Sequence, residues 1–305
     1  MPPSSLSVSA RALAQALEPF VGSVYFSPEC HARYKALGFA PSQRSMGGVA
    51  LPDGPAYFTS RGALLGHVPG EVVAAAFGVF NPEAVVPSVA HGWTLTDAAT
   101  IRAVRSGGAV DQLTRILGPN PDGVESLVEP LQRAVDACAP AGRALFAGTV
   151  SATVPADPLS AVWHLGDCLR EYRGDSHTAA WIAAGLDAVE IGLLTELWWG
   201  IPSHTYVRTR AWSEAQVEVA FDGLRSRGLI SASSFSDAAF TDAGQALRGS
   251  IETATDQQMG RPVAALGADL ERVVTMLDGW SAAVRNACGY PASGPEDLAK
   301  LAGRA

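Results

Sequence analysis

The sequence has few cysteines and almost no lysine. Its four cysteines, Cys30, Cys138, Cys168 and Cys288, lie far apart and form no C-x-x-C pair, so the sequence predicts neither a zinc ribbon nor a dense disulfide framework. Only two of the 22 basic residues are lysines, and 30 acidic residues give the chain a formal net charge of -8. This acidic balance gives no support for sequence-independent binding to nucleic-acid phosphates or to anionic lipids.

Long hydrophobic runs and a leader-like N-terminus are also missing. No stretch reaches about 18 apolar residues free of charge, and residues 1–24 contain no basic segment followed by an apolar run. The sequence therefore predicts a cytoplasmic protein with no membrane partner. With 48% hydrophobic residues the chain is too apolar for disorder, and its 31 glycines and 20 prolines interrupt it too often for a coiled coil.

Helical periodicity dominates what remains, and strand-like runs are few and short. Three helix starts are marked by capping residues: Ser213 with Gln216 three residues later, Asp157 before Pro158, and Thr241. We predict a mainly α fold of tandem helix-turn-helix or winged-helix-like lobes with short β-wing strands, joined by a helical bridge. The predicted units are a first lobe at 1–154, the bridge at 155–175, the winged-helix lobe at 176–290 and a C-terminal tail at 291–305.

A faint internal repeat favours two similar lobes. A shift of 119 residues lays three residues on identical ones: Gly66 on Gly185, Glu71 on Glu190 and Trp93 on Trp212. These pairs fall where a helix end and a capped helix start are expected. Chance similarity in an alanine-rich chain is the alternative.

The second half contains elements in an order typical of winged-helix domains. Residues 212–230 carry an apolar helical stripe, residues 231–239 have the length and polarity of a β-wing, and residues 240–244, Phe-Thr-Asp-Ala-Gly, open the next helix. The stripe consists of Val217, Ala220, Phe221 and Leu224. This combination resembles the MarR-like winged-helix pattern, which implies a recognition helix followed by a two-stranded wing.

A second resemblance covers residues 20–290. Through the segment Leu169–His177 and the Ala-Ala-Gly-Leu-Asp that follows it, the chain resembles an actinobacterial helix-turn-helix family of unassigned function. That family commonly has histidine where Tyr172 stands and glycine where Ser176 stands, so no role for that histidine is carried over to this chain. The resemblance implies the fold and draws attention to this segment.

The predicted recognition helix carries acidic residues where a DNA-binding helix needs basic or amide side chains. Glu214, Glu218 and Asp222 are spaced four apart and form one stripe, which would face phosphates without a partner. We therefore expect DNA binding to be disfavoured. A winged-helix transcriptional regulator that binds DNA as a homodimer remains the alternative function.

The segment from 163 to 177 holds the densest group of chemically able residues. Arg170, Arg173 and His177 are predicted to project into a cleft between the lobes, where two guanidinium groups and an imidazole suit a carboxylate, phosphate or enolate. Asp175 either orients His177, making these two the candidate catalytic pair, or caps a new helix after Gly174. In a purely structural alternative, acidic residues of the segment pair with its own arginines.

We predict a small, aromatic or anionic organic ligand in this inter-lobe pocket. The candidate ligand-binding residues are Arg170, Arg173, His177, Trp163, His164, Tyr172, Trp181, Trp199, Arg61 and Tyr57. His164 and Cys168 offer only a two-point metal ligand, and no H-E-x-x-H or phosphate-binding loop is present, so neither a metal nor a cofactor is predicted. A sequestering or sensing protein and a cofactor-independent enzyme both fit this prediction.

Overall fold

Helices form most of this chain, as its periodicity predicts. The computed structural model describes residues 4–42, 45–46, 48–231 and 237–292. The α-helices of that part are α1 (Ser5–Gly22), α2 (Pro28–Ala36), α3 (Gly54–Gly62), α4 (Gly70–Phe77), α5 (Pro82–Leu95), α6 (Ala98–Leu117), α7 (Val124–Asp136), α8 (Ala144–Val150), α9 (Pro158–Ala183), α10 (Ala188–Trp199), α11 (Tyr206–Thr209), α12 (Glu214–Ser226), α13 (Asp242–Gln258), α14 (Gly260–Leu266) and α15 (Leu270–Asn286).

The strands form two short antiparallel pairs. Strand β1 (Ser45–Met46) pairs with β2 (Val49–Ala50), and β3 (Ile230–Ser231) pairs with β4 (Ala239–Phe240), with Ile230 opposite Phe240. The second pair brackets the predicted wing at 231–239, of which residues 232–236 lie outside the described part of the chain. Of the predicted tail, only residues 291–292 are described.

The helix starts follow the capping signals. Ser213 and Gln216 form a capping box at α12, Asp157 accepts a hydrogen bond from Ser160 N with Pro158 in the first turn of α9, and Thr241 caps α13. These three side chains occupy N–H groups that would otherwise lack a partner, and each fixes where the chain enters its helix.

Helix α9 runs without a break for 26 residues, so the prediction that Gly174 ends a helix is wrong. The Asp175 side chain accepts a hydrogen bond from Phe146 N at 3.0 Å, in the first turn of α8, instead of capping a new helix. Buried residues on both sides of Gly174, such as Leu169 and Ser176, pack the helix against its neighbours. That packing outweighs the cost of about 1 kcal/mol for a glycine inside a helix.

The largest apolar core joins the two ends of the described chain. Helix α1 packs along α15 and against α9, and α9 packs against α7, in one cluster that includes Leu13, Phe20 and Leu277. The Ser281 hydroxyl donates to Ala16 O at 2.6 Å and accepts from Phe20 N at 3.1 Å, which ties the two helices together. A chain segment far along the sequence therefore completes the core of the N-terminal helices.

Two smaller cores flank this one. The first contains α10, α12 and the end of α9, with Trp181 and Leu224 buried. It lies in the predicted winged-helix lobe, and we call it the winged-helix core. The second contains α3, α4 and α5, with Phe58 and Val73 buried. Helix α9 contributes to the large core and to the winged-helix core, and it contains most of the predicted bridge. The predicted domain boundaries remain predictions.

The repeated positions have some local features in common. Gly66 and Gly185 both have positive φ, and the indole N–H groups of Trp93 and Trp212 both donate to backbone carbonyls. The capping residue of α6, however, is Asp97, three residues beyond the position paired with Ser213. The internal repeat remains a prediction.

Within the described residues, no single helix is both long and apolar enough to cross a membrane. Helices α9 and α10 pass such a test only when taken together, and they are bent by 106° where they meet.

Candidate functional site

A cavity of about 330 Å³ lies where α9, α10 and α13 meet the connection between α4 and α5, and we call it the inter-lobe cavity. Its lining residues are Val79, Arg173, His177, Ile191, Gly192, Thr195, Trp198, Trp199, Tyr206, Arg248 and Glu252. Three of the predicted ligand-binding residues, Arg173, His177 and Trp199, therefore lie together in one cavity.

Arginines outnumber carboxylates beside this cavity. Arg173 lies 3.3 Å from Asp256 and 3.7 Å from Glu252, Arg248 pairs with Glu252 at 2.5 Å, and Arg11 pairs with Asp256 at 2.7 Å. Three guanidinium groups thus face two carboxylates and leave one positive charge in excess. The buried Nε atoms of Arg173 and Arg248 have no hydrogen-bond partner among the described residues. The cavity wall can therefore accept an anion.

His177 lines the same cavity, and one of its ring nitrogens is a hydrogen-bond acceptor. Its Nδ1 lies 3.1 Å from the hydroxyl of Thr255, and that hydroxyl donates its own proton to Ile251 O at 2.8 Å. The Thr255 oxygen must therefore accept from Nδ1–H, and this hydrogen-bond assignment leaves Nε2 with its lone pair. Burial lowers the pKa of His177 to about 4, so the imidazole is neutral near pH 7.

Aromatic rings form another wall of the cavity. The rings of Trp199 and Tyr206 meet edge to face with centroids 5.1 Å apart, and the Arg248 guanidinium lies 5.1 Å from the Trp198 ring centroid. Trp198 is 40% exposed, so its indole reaches solvent. This arrangement offers flat apolar surface beside the cationic wall.

The connection between α10 and α12 is held in place by one buried carboxylate. Glu196 accepts hydrogen bonds from three backbone N–H groups, those of His204 at 2.9 Å, Tyr206 at 2.7 Å and Val207 at 3.0 Å. Burial raises the pKa of Glu196 to about 7, while these three N–H donors act in the opposite direction. The contacts fix the backbone of Tyr206 and so place its ring against Trp199.

Arg61 and Arg170 lie elsewhere, in a buried group that we call the Glu171 network. Arg61 Nη2 lies 2.7 Å from Glu171, and Arg170 lies 3.2 Å from Glu171 and 2.8 Å from Glu18. Burial alone would raise the pKa of Glu171, but Arg61 and Arg170 outweigh it and lower that pKa to about 2. In the described residues this network lines neither the inter-lobe cavity nor the second cavity described below.

Three predicted site residues, Tyr57, Tyr172 and Trp181, contribute to packing. The Tyr57 ring makes edge-to-face and tilted contacts with aromatic neighbours, the Tyr172 hydroxyl donates to Gln258 O at 3.3 Å, and Trp181 is buried in the winged-helix core. Burial raises the pKa of Asp175 to about 6, and its carboxylate caps α8 as described above. No hydrogen bond between Asp175 and His177 occurs in the described part of the chain.

Trp163 and His164 line a second cavity, of about 440 Å³, between α6, the α8–α9 connection and α9; we call it the α6–α9 cavity. Its lining residues are Leu64, Arg102, Ala103, Arg105, Ser106, Gly107, Val110, Asp111, Thr149, Ala152, Thr153, Pro155, Ser160, Trp163, His164 and Asp167. The structure thus divides the predicted ligand-binding residues among two cavities lined by α9, the Glu171 network and the packed interior.

Sequence reasoning missed Arg248 and Glu252 in the first cavity and Arg102 in the second. Arg248 and Glu252 are spaced i, i+4 on α13, so their shared face was a readable signal. Nothing in the local pattern shows which helix that face meets.

The acidic stripe lies on the outer face of α12. Glu214, Glu218 and Asp222 are exposed, and the nearby Arg225 pairs with Asp222 at 2.9 Å. Arg227 pairs with Glu190 at 2.5 Å, away from the stripe. The surface that a recognition helix would offer to DNA is therefore acidic. Among the described residues, no three His, Cys, Asp or Glu side chains are grouped to hold a metal ion.

The buried histidine of the inter-lobe cavity predicts a specific pH dependence. The pKa of His177 is about 4 in the folded chain against 6.5 in the unfolded one, so between these values the unfolded chain binds more protons and stability falls as the pH decreases. We expect the wild type to lose about 2 kcal/mol more unfolding free energy between pH 8 and pH 5 than His177→Gln does. Urea denaturation at both pH values measures this difference.

The variant His91→Gln, at an exposed position on α5, controls for the loss of a histidine as such. Parallel pH profiles for the wild type and His177→Gln would contradict the prediction.

Comparison with known proteins gives one match. A sequence-family model described as a helix-turn-helix family matches residues 10–291, nearly the whole chain. The search of curated proteins and the search of solved structures found no match.

Proposed function

We propose that the inter-lobe cavity of this chain, which belongs to the helix-turn-helix family, binds a small organic anion with a flat ring. The observation that carries the proposal is the lining of one cavity by excess arginine charge, a neutral histidine and several aromatic rings. In this function the helix-turn-helix elements serve as the scaffold that builds the cavity.

Each wall of the cavity selects one part of such a ligand. An anionic group pairs with Arg173, whose carboxylate partners Glu252 and Asp256 are shared with other arginines. A ligand N–H or O–H donates to His177 Nε2, and a ring packs on Trp199. A neutral aliphatic molecule would leave the cationic wall and His177 Nε2 without a partner, so it would bind more weakly.

The same cavity fits a sequestering or sensing protein and a cofactor-independent enzyme. His177 would serve as the acid/base residue of an enzyme, and its low pKa makes it a weak base near pH 7. Sequestration or sensing needs no proton transfer and is the function that this chemistry favours. We propose that the chain sequesters or senses its ligand in the cytoplasm. A homodimer is compatible with this function.

The test has two steps. First, native mass spectrometry of protein purified gently from its own organism, followed by denaturing analysis, shows whether a small molecule is retained and whether it is altered during incubation. Second, titration with 1-naphthoate and indole-3-carboxylate, followed by ligand-observed NMR, measures the affinity of the cavity. We expect Arg173→Gln to weaken binding of both probes by at least about tenfold, because a charge-assisted pair is lost.

The matched control is Arg225→Gln, which removes the same charge from an exposed ion pair on α12. It should bind both probes as the wild type does. The proposal would be overturned if the purified chain retained no small molecule and Arg173→Gln bound both probes as tightly as the wild type does.

A second candidate function, a transcriptional regulator that binds DNA, is favoured by the family match and by the order of α12, β3, β4 and α13. The resemblance to the MarR-like winged-helix pattern supports the fold that such a regulator would have. The exposed acidic stripe of α12 opposes it. Titration against genomic fragments at two salt concentrations separates the functions, since specific DNA binding would show a steep salt dependence.

A further inference from the structure

We propose that the α6–α9 cavity is a second, separate binding site, and that its ligand is a small organic monocarboxylate with an apolar body whose carboxylate pairs with Arg102. This site shares no lining residue with the inter-lobe cavity. The inference therefore goes beyond the proposed function and does not depend on it.

The charges around this cavity leave one cation without a carboxylate. Arg105 and Asp167 form a closed pair with two hydrogen bonds of 2.7 and 3.1 Å, and both are almost fully buried. Asp111 is bound by Arg33 from α2, with an Nε to Oδ2 distance of 3.1 Å. Arg102 is half-buried, and within the described residues its hydrogen bond is to the carbonyl of Gly148 at 3.1 Å.

The other titratable groups do not supply the missing negative charge. Burial lowers the pKa of His164, with Arg102 and Arg105 acting in the same direction, so the imidazole stays neutral. Burial also raises the pKa of Cys168 well above its usual range, so that thiol stays protonated. The lining carries two arginines and two aspartates; because Asp167 is paired with Arg105 and Asp111 is paired with Arg33, Arg102 is the arginine left for a ligand carboxylate.

Two residues that line this cavity each hold a buried donor atom without an acceptor. The indole Nε1 of Trp163 and the Nε of Arg105 are fully buried, and neither has a hydrogen-bond partner among the described residues. Buried donors in folded proteins are nearly always paired, and leaving one unpaired costs free energy. Both donor atoms are closed off from solvent, so of Trp163, Arg105 and Arg102 it is the half-buried Arg102 that can bind a ligand carboxylate.

The remaining lining selects the rest of the ligand. Leu64, Val110 and Pro155 give the cavity an apolar wall, and its volume lies within the range of pockets that enclose small organic molecules. Inorganic phosphate would find one free cation and an apolar wall. An organic carboxylate would pair its charged group with Arg102 and pack its apolar body against the apolar wall.

Octanoate is the probe for this site, with octanamide as its uncharged analogue and inorganic phosphate as the anion without an apolar body. Isothermal titration calorimetry measures affinity, and the indole N–H resonance of Trp163, assigned with Trp163→Phe, reports where the probe binds. We expect octanoate to shift that resonance and to bind at least about tenfold more tightly than octanamide and phosphate. We expect Arg102→Gln to weaken octanoate binding by a similar factor.

Arg272→Gln, in an exposed ion pair on α15, is the matched control and should leave octanoate binding unchanged. A thermal melt checks that Arg102→Gln folds; if it does not, the comparison of octanoate with octanamide on the wild type decides. Equal affinity for octanoate and octanamide, equal affinity for phosphate, or full binding by a folded Arg102→Gln overturns the proposal. Loss of octanoate binding in Arg173→Gln but not in Arg102→Gln would place the anion in the inter-lobe cavity and overturn this proposal alone.

Discussion

Replacing Glu171 by glutamine is expected to destabilise the chain by about 3–5 kcal/mol, the cost typical of removing one partner of a buried ion pair. The Glu171 side chain is fully buried, and Arg61 and Arg170 both contact it. Glutamine keeps the shape but leaves Arg61 buried without a counter-charge. Urea denaturation at pH 7 measures the loss as a lower unfolding midpoint with an unchanged slope.

The difference between the wild type and Glu171→Gln should also depend on pH. The pKa of Glu171 is about 2 in the folded chain against 4.5 in the unfolded one. The stabilisation is therefore fully present above about pH 4.5 and is lost as the pH falls towards 2.

Two further variants control this prediction. Asp222→Asn removes a carboxylate from an exposed ion pair on α12 and should change stability by less than about 1 kcal/mol. The double replacement Arg61→Leu with Glu171→Leu should recover part of the loss, because it removes both charges of one pair. If Glu171→Gln lowered the unfolding free energy by less than about 1 kcal/mol, the Glu171 network would stabilise the fold less than its burial indicates.

Replacing Gly244 by alanine is expected to destabilise the winged-helix lobe by about 3 kcal/mol. A Cβ at this position would overlap the backbone oxygen of Leu229, which a side-chain rotation cannot relieve. At this point Thr241 caps α13 by accepting from Gly244 N at 3.1 Å and donates to Gly228 O at 2.7 Å. The glycine of the Phe-Thr-Asp-Ala-Gly motif thus lets α13 begin directly against the wing strand.

Gly249→Ala on the same helix is the matched control. A Cβ there would meet nothing within 4 Å, so the exchange should stabilise α13 by about 0.5–1 kcal/mol through helix propensity. Denaturation of both variants under the same conditions measures whether the two changes in unfolding free energy have opposite signs. Equal effects from the two exchanges would show that the contact with Leu229 is unimportant.

Local signals in the sequence were sufficient to predict the element types and many helix starts. The caps at Ser213, Asp157 and Thr241 worked because an N-cap needs only residues within one turn. The predicted helix end at Gly174 was wrong because the free-energy cost of a glycine in a helix is a local effect. The packing that outweighs this cost comes from α7, α8 and α13. No local pattern indicates that α14 and α15 pack in the same core as α1.

The same limit applies to the site. Arg170, Arg173 and His177 lie on one side of α9 because the helix continues through Gly174, where the sequence predicted a break. The helix that meets this side changes along α9: Arg170 reaches Glu18 of α1, while Arg173 and His177 reach α13. Spacing along one helix could not show this change of neighbour.

Arg102 shows a different failure. In the sequence it lies five residues from Asp97, which makes the helix look electrically balanced. In the structure Asp97 caps α6 by accepting from Thr100 N at 2.9 Å. A count of charged residues along a helix does not show which of these side chains already have a hydrogen-bond or ion-pair partner.

The pairing of α1 with α15 has a consequence for how the protein is made. Ribosomes deliver the N-terminal helices first, at about 5–20 residues per second, but α1 packs against α9, α13 and α15, and its packing is complete only when α15 emerges. Contacts such as Ser281 with Ala16 span 265 residues, and such distant contacts slow folding because a long loop must close first. Part of the apolar face of α1 therefore stays uncovered until nearly the whole chain has been synthesised, and such exposed surface promotes aggregation during folding.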